Sequence, residues 1–326
     1  MKRRTSFWAG MALAACLLAA GSLAVYGVAE YQRATADYSG IAVANEDAIA
    51  EGIRTVMKNR SWRAVVTFRA RTMDRDGLHS LTDELMERAY YESNDPCGGD
   101  YLRFQMGGYE LRHSVKPGLF RYAYTVKIQP AYYTTAQQEA AVDERVRKVL
   151  ADLPLDENAS ERKKARAVHD FVCDTVAYDT VHKENKYSHA KTTAYAALFY
   201  HTAVCQGYAV LTYRLLKELG VDARIVTGLA EVDGQKERHA WNIVGVDGQY
   251  YNMDTTLDAV TETDDYFLKT DDAFAADHER DEAYRTAAFY EQYPMARAAV
   301  RRADTARTYP QGVCPSGHKI PTEYVR

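Results

Sequence analysis

The sequence predicts an α+β fold, and three observations predict it. Apolar residues recur at helical spacing in two otherwise mixed stretches, at Val142, Val146, Val149 and Leu153 and again at Tyr208, Leu211, Leu215 and Leu219. Short runs of strand formers lie apart from these stretches, and Trp62 to Ala70 (WRAVVTFRA) is the plainest of them. Asp247-Gly248, a strong signal for a two-residue hairpin turn, joins two more such runs.

The chain has 326 residues, long enough for two modest domains or one large one. Its 47% hydrophobic and 26% charged residues are the balance of an ordinary folded protein. With 41 basic and 45 acidic residues the formal net charge is -4, which removes any general electrostatic case for nucleic acid, since that would ask for a basic face. Tyrosine, with an apolar body and a polar tip, occurs 25 times and is read mainly as packing. None of the five cysteines, Cys16, Cys97, Cys173, Cys205 and Cys314, has the close spacing of a zinc site or a redox dithiol. Cys97 and Cys314 can pair if the chain works outside the cytoplasm, and two unpaired loop thiols are the equal alternative.

Lys2, Arg3 and Arg4 precede an uncharged apolar run from Phe7 to Ala29. About 20 apolar residues cross a bilayer as a helix, and positive residues in front of them keep the amino end in the cytoplasm. Residues 1–30 are therefore expected to be a transmembrane anchor, with the membrane as a partner and the body extracytoplasmic. A cleaved signal ending at Gly27-Val28-Ala29 is the first rival. A lipid anchor at Leu13-Ala14-Ala15-Cys16 is the second, and the apolar stretch from Leu17 to Val28 speaks against it. All three place the rest of the chain outside the cytoplasm.

Residues 31–155 are expected to form a small α+β accessory domain. Glu46 to Asn59 and Leu81 to Tyr91 have helical character. Tyr101 to Val115 and Phe120 to Gln129 look like strands joined at Lys116-Pro117-Gly118, and Ala136 to Leu153 is a helix closed by Pro154. Residues 156–295 form a second domain, with helices over Ser160 to Tyr178 and Thr193 to Tyr200. Residues 296–326 read as an irregular tail.

The chemistry lies in the second domain. Cys205 stands where the Tyr208–Leu219 periodicity begins, and Gly220 is a helix stop. A cysteine at a helix amino terminus meets unpaired N–H groups and positive potential. That potential favours the nucleophilic thiolate, and the same groups can stabilise an oxyanion. Downstream, Glu237 to Val244 and Tyr250 to Thr256 flank Asp247-Gly248. A two-residue turn there pairs Val246 with Gln249, so that Trp241 faces Asp254 and His239 faces Thr256. All four then share one face, because pairing preserves the face and the face repeats every second residue. His239 and Asp254 become diagonal neighbours. An Asp on one nitrogen of a His fixes the tautomer and supports the imidazolium, and the other nitrogen is left to serve a cysteine. Singly, a packed histidine, a turn-capping aspartate and an inert buried thiol would each suffice. Together, Cys205, His239 and Asp254 form the logic of a catalytic triad.

These residues also carry a resemblance. Tyr178-Asp179, then Ala203-Val204-Cys205-Gln206-Gly207-Tyr208-Ala209, then His239-Ala240-Trp241-Asn242, then Asn252-Met253-Asp254-Thr255-Thr256 resemble the transglutaminase-like core of the papain-like thiol enzymes. Tyr266-Phe267-Leu268-Lys269 and Asp277-His278-Glu279-Arg280 resemble the continuation found in membrane-linked bacterial members. The resemblance implies a Cys-bearing helix packed on an antiparallel sheet that carries His and Asp. It implies attack on amide carbonyls of proteins or cell-wall peptides through an acyl-enzyme thioester, released to water or to an amine. It implies no metal and no organic cofactor. Hydrolysis is preferred, because nothing marks a dedicated amine site. The competing reading is a catalytically silent extracytoplasmic binding module that retains the fold. Trp241, Asn242, Gln206, Gly207 and Tyr178 are read mainly as packing or backbone fit. His169, His182, His189 and His201 lack metal-ligand spacing, and His278 is read as support for the core.

Overall fold

The computed structural model describes residues 28–30, 46–180, 189–232 and 234–300. The expected leader up to residue 27 and the tail from 301, with Cys16 and Cys314, lie outside the described residues, as does His182. Among the described residues no helix is long and apolar enough to cross a membrane.

The chain forms two compact units, and their border differs from the one expected near 155. Among the described residues the first takes 28–30, 46–92 and 106–136, and the second takes 93–105, 137–180, 189–232 and 234–300. The reason is burial. The helix after 136 puts Val142, Val146 and Val149 into the core of the second unit, and Tyr101 joins the same core.

In the first unit β1 (Val28–Glu30) is followed by α1 (Glu46–Lys58), β2 (Ala64–Ala70) and α2 (Arg75–Ala89). Helix α2 starts six residues earlier than expected, because the Asp74 carboxylate accepts the amide of Gly77 at 2.8 Å and caps it. The stretch expected as a strand from Tyr101 begins instead with α3 (Gly99–Phe104), which belongs to the second unit. Adjacent Tyr101 and Leu102 are both buried in the helical turn. Buried Asp100 holds this turn by accepting Arg224 Nε and the Ile225 amide, both at 2.7 Å. Then β3 (Met106–Lys116) and β4 (Tyr122–Tyr132) complete a four-stranded sheet in the order β1-β2-β4-β3. Ala64, Val66 and Phe68 of β2 and Tyr124, Val126 and Ile128 of β4 alternate inward as period 2 requires.

The second unit contains α4 (Ala136–Asp152), α5 (Glu161–Thr175), β5 (Ala177–Tyr178), α6 (Ala194–Phe199), β6 (Thr202–Ala203) and α7 (Cys205–Glu218). After α7 come β7 (Ala223–Val232), β8 (Gln235–Val246), β9 (Gln249–Met253), α8 (Thr255–Thr261), α9 (Asp271–Phe274), β10 (His278–Arg280) and α10 (Ala287–Gln292). Strands β10-β7-β8-β9 make one antiparallel sheet. Helix α7 is buried on nearly every side, with Tyr208, Val210, Leu211, Tyr213, Leu215 and Leu216 all fully covered. It packs on β7 and β8 and is enclosed by α5, α6 and α8, and its buried Arg214 and Lys217 are paired with Asp143, Glu218 and Asp222. Gly220, at φ +72°, ends it as the sequence suggests.

Asp247 (φ 53°) and Gly248 (φ 77°) are both left-handed, as a two-residue primed turn needs. The pairing runs from Val246↔Gln249 to Asn242↔Met253, the expected register. The expected return strand through Thr256 stops at Met253, however, so His239 does not face Thr256. Asp254 ends it: its side chain turns back onto the amides of Thr256 and Leu257 and starts α8.

Gly207, in the first turn of α7, lies close against its surroundings. A methyl group there would lie 2.7 Å from Ala203 Cβ and 2.8 Å from the Lys191 carbonyl. Gly207→Ala is therefore expected to destabilise the protein by about 1–3 kcal/mol, read as a lower urea midpoint at unchanged slope. An unaltered midpoint would show that the β6–α7 corner yields.

Candidate active site

The chain is led to Cys205 by bonds on both sides. Parallel strands β5 and β6 pair Tyr178 with Ala203, and the Val204 amide donates to the Lys191 carbonyl at 3.1 Å. The N-cap is Val204, which has no side-chain acceptor, so no side chain caps the helix that Cys205 begins. The amino-terminal amides of α7 thus keep their positive end toward the half-buried thiol. Gln206 Nε2 donates to the Phe104 carbonyl at 2.6 Å, which makes its role structural, as the sequence suggests.

His239 and Asp254 come together at the end of β9. His239 Nε2 lies 2.6 Å from Asp254 Oδ2, with the ring 9% exposed and the carboxylate 1%. Cys205 is near enough to the same ring to help raise its pKa, and with Nε2 engaged by Asp254, Nδ1 is the nitrogen left open to it. The structure thus brings His239 and Asp254 into direct contact, with Cys205 near enough to act on the same imidazole. Asp254 divides its oxygens: Oδ1 accepts the amides of Thr256 and Leu257 at 2.9 and 3.1 Å, and Oδ2 faces the imidazole.

The electrostatics follow from these contacts. Burial works against the His239 charge, yet the Asp254 carboxylate, backed by Cys205, holds its pKa well above the usual imidazole value. Burial likewise opposes the Asp254 charge, and His239 together with His278 holds its pKa far below the usual carboxylate range. Tyr178 is pushed up to about 12, first by burial and then by nearby Cys205.

The signs set a pH window for stability. A lowered Asp254 contributes fully above the unfolded carboxylate value, about 4, and loses that contribution as pH falls through its folded pKa. A raised His239 contributes fully below about 6.5 and loses it as pH rises through its folded pKa. The stability difference between wild type and Asp254→Asn is therefore expected to peak between about pH 4 and 6.5 and to narrow on both sides. Urea midpoints measured across pH check this, and a flat difference would contradict the ion pair.

His278, read from sequence only as core support, is the residue that sequence reasoning underrated. Its Nε2 is 3.2 Å from the same Asp254 Oδ2, and its Nδ1 is 2.6 Å from Asp277 Oδ1. Across β7 the positions paired with His239 and His278 are Gly228 and Ala230, too small to separate the two rings, which lie 5.8 Å apart. Phe274 stacks on His278 at 3.8 Å, with Trp241 and Tyr266 at 5.1 and 5.5 Å. Trp241 is 1% exposed and donates to Asn252 Oδ1, so packing dominates its role. Asn242, on the opposite face, donates to the carbonyls of Ala209 and Arg224 and ties α7 to the sheet. A cavity of about 520 Å³ borders Trp241, Phe274 and His278, and neither Cys205 nor His239 lines it.

A second buried polar group supports α8. His169 Nε2 is 2.8 Å from Asp258 Oδ2, and Cys173 Sγ is 3.6 Å from the same nitrogen. Arg166 pairs with Asp170 and Asp264 and lies 3.8 Å over the Phe267 ring. His201 Nδ1 faces the Thr175 carbonyl at 3.1 Å. Among the described residues, two groups bring metal-ligand atoms within 4.8 Å of one another, His239–Asp254–His278 and His169–Asp170–Asp264. In the first, both imidazoles are already bonded to one Asp254 oxygen. In the second, the Arg166 guanidinium occupies the place of a cation. Neither donor set fits a metal ion.

Residues 150–255, which include Cys205, His239 and Asp254, match the family model of the transglutaminase-like superfamily. The chain therefore contains a transglutaminase-like domain. Among solved structures it is similar to a TGase, at 18% identity and a TM-score of 0.34, over 60% of this chain and 51% of that one. It is also similar to a candidate cysteine protease from Cytophaga hutchinsonii, at 13% identity and a TM-score of 0.31, over 54% of this chain and 69% of that one. The aligned part is thus about half of the TGase. No curated protein matches the chain.

Proposed function

We propose that this protein is a thiol enzyme that cleaves amide bonds of proteins or cell-wall peptides, with Cys205 as nucleophile, His239 as acid and base, and Asp254 as its orienting carboxylate. The observation that supports this reading is His239 held at 2.6 Å by Asp254 while Cys205 lies near enough to help raise the pKa of the same ring. The thiolate attacks the carbonyl carbon, and the first amides of α7 receive the oxyanion. The His239 imidazolium then protonates the departing nitrogen, the C–N bond breaks, and a thioester remains on Cys205. Water, deprotonated by His239, adds to the thioester, and collapse returns the thiol and a carboxylic acid. An amine in place of water would give transamidation with the same three residues. Hydrolysis is preferred because no feature of the sequence marks an amine site.

The test is to incubate the full chain with a library of peptide amides, with and without hydroxylamine, and to follow intact mass and released amine. An acyl adduct on Cys205, absent from Cys205→Ala and released by hydroxylamine as hydroxamate, supports the reading. Absence of any adduct, with Cys205 alkylated no faster than a model peptide thiol, would favour the silent binding module. Adding a fluorescent primary amine separates hydrolysis from transfer.

The extracytoplasmic location belongs to the same proposal. It is supported by Lys2, Arg3 and Arg4 ahead of the apolar run from Phe7 to Ala29. A reporter enzyme active only outside the cytoplasm, fused after residue 45, should be active. An inactive but intact fusion refutes the location.

A further inference from the structure

The β3–β4 hairpin of the first unit ends in an exposed apolar tip. Residues 117–121 join the two strands, and within this loop Leu119 is 90% and Phe120 84% exposed. Among the described residues no other large apolar side chain is so open. Val115 and Tyr122, on the strands at either side, are each 43% exposed. An isolated surface leucine needs no explanation, but an adjacent Leu-Phe pair at the apex of a hairpin, flanked by further apolar surface, marks a contact site.

The second observation is charge. From Leu111 to Lys127 the chain carries Arg112, Lys116, Arg121 and Lys127 and no carboxylate, in a protein whose net charge is -4. Lys116 and Arg121 flank the tip. Arg112 and Lys127 stand directly opposite each other on the ladder, and Arg112 lies four residues behind Lys116, about 13 Å at ~3.3 Å per residue. Like charges placed opposite one another weaken a strand pair. Arg112 has Glu110 at 3.4 Å as a partial offset. An anionic surface laid along the hairpin would relieve this repulsion.

We propose that the β3–β4 hairpin is a contact for an anionic lipid bilayer, with Leu119 and Phe120 entering the interface and the four cations meeting lipid phosphates. The match is one of layers. Interfacial elements settle with their apolar part about 5–10 Å into the headgroup boundary and their basic residues at the polar level. A two-residue apolar tip spans that depth, and Lys116 and Arg121 stand at its base. Tyr122 supplies a ring of the kind favoured at that level, and Arg112 and Lys127 lie within the field of an anionic leaflet. A groove on another protein would need walls that accept the sides of the tip, and those sides are cationic on both strands. This contact is independent of the catalytic reading.

The test uses the full chain carrying Phe120→Trp, with wild type treated identically so that the difference in tryptophan emission reports on residue 120 alone. Vesicles are phosphatidylcholine alone or an equimolar mixture with phosphatidylglycerol. With the anionic vesicles the difference emission should move to shorter wavelength and be quenched by brominated acyl chains. Neutral vesicles should give neither effect, and adding Lys116→Glu and Arg121→Glu to the same chain should abolish both. An unchanged difference spectrum with anionic vesicles overturns the proposal, and so does an equal shift with neutral ones or persistence of the shift in the charge-reversed chain. A shift that grows with protein concentration in the absence of vesicles would put a second copy on the tip and would also overturn it. Because the signal is local to residue 120, membrane association through another part of the chain does not imitate it.

Discussion

Replacing His239 by alanine is expected to slow acyl transfer to Cys205 by about 10²- to 10⁴-fold, the usual worth of a positioned acid–base group. Two losses combine. The thiol loses the imidazole at its side, and the departing amine loses its proton donor. Both losses act on the reacting atoms, so the effect should fall on kcat and leave KM nearly unchanged. The fold should survive, because Asp254 keeps its Oδ1 bonds to the helix amides and its second imidazole at His278. The direct measurement is the rate of Cys205 alkylation by iodoacetamide alongside the rate of acyl-enzyme formation, in wild type and His239→Ala. If both rates stay within a few-fold of wild type, His239 is not the partner of the thiol and the mechanism above fails.

Asp258→Ala is expected to have the largest effect on stability, a loss of about 3–5 kcal/mol, the cost of removing one partner from a buried charged pair. Asp258 is fully buried. It accepts His169 Nε2 on one oxygen, and the Tyr266 amide and Thr263 hydroxyl on the other. Its removal strips acceptors from three donors at once and leaves His169, itself fully buried, beside Arg166 and Asp170. Asp272→Ala is the control, since that carboxylate is exposed and its loss should stay within about 0.5 kcal/mol. Urea denaturation of both variants decides the matter. Equal midpoints would mean that the network around α8 adds nothing to the fold. Asp258 lies one turn beyond Asp254 on the same helix, so Asp258→Ala should also slow the enzyme well below its unfolding midpoint.

Much of this was legible in the residues, and what was not has physical causes. Period 3.6 exposed α4 and α7 because each turns an apolar stripe inward, and Asp247-Gly248 fixed the hairpin register because only a left-handed pair of residues makes that turn. His239 and Asp254 were therefore readable as neighbours. The path by which Asp254 arrives was not, since an aspartate that ends a strand and caps a helix looks in sequence like one more residue of the strand. Strand β7 was missed altogether: Gly228 interrupts its pattern, and its need for a glycine comes from β10, which a methyl group at 228 would meet at 2.0 Å from the Glu279 carbonyl. That contact is fifty residues away in sequence. His278 was undervalued for the same reason, because its meaning depends on Gly228 and Ala230 being small across the sheet. Helix α3 was hidden by the strand formers Tyr101 and Phe104, while the donation of Arg224 to Asp100 in its first turn comes from more than a hundred residues away.

The two oxygens of Asp254 also bear on how such a protein would drift over generations. Cys205 is half-buried, and its helix starts on Val204 without help from the thiol, so a serine or alanine there would remove the proposed chemistry and leave the architecture standing. Asp254 has no such freedom, because the oxygen that starts α8 belongs to the same carboxylate as the one that steadies His239. A lineage that abandoned catalysis and kept the fold would shed the cysteine early and retain Asp or Asn at 254 long afterward. On the proposed mechanism, position 205 is the informative one for telling working copies from retired ones among descendants of this chain, and the aspartate records only that the fold persists.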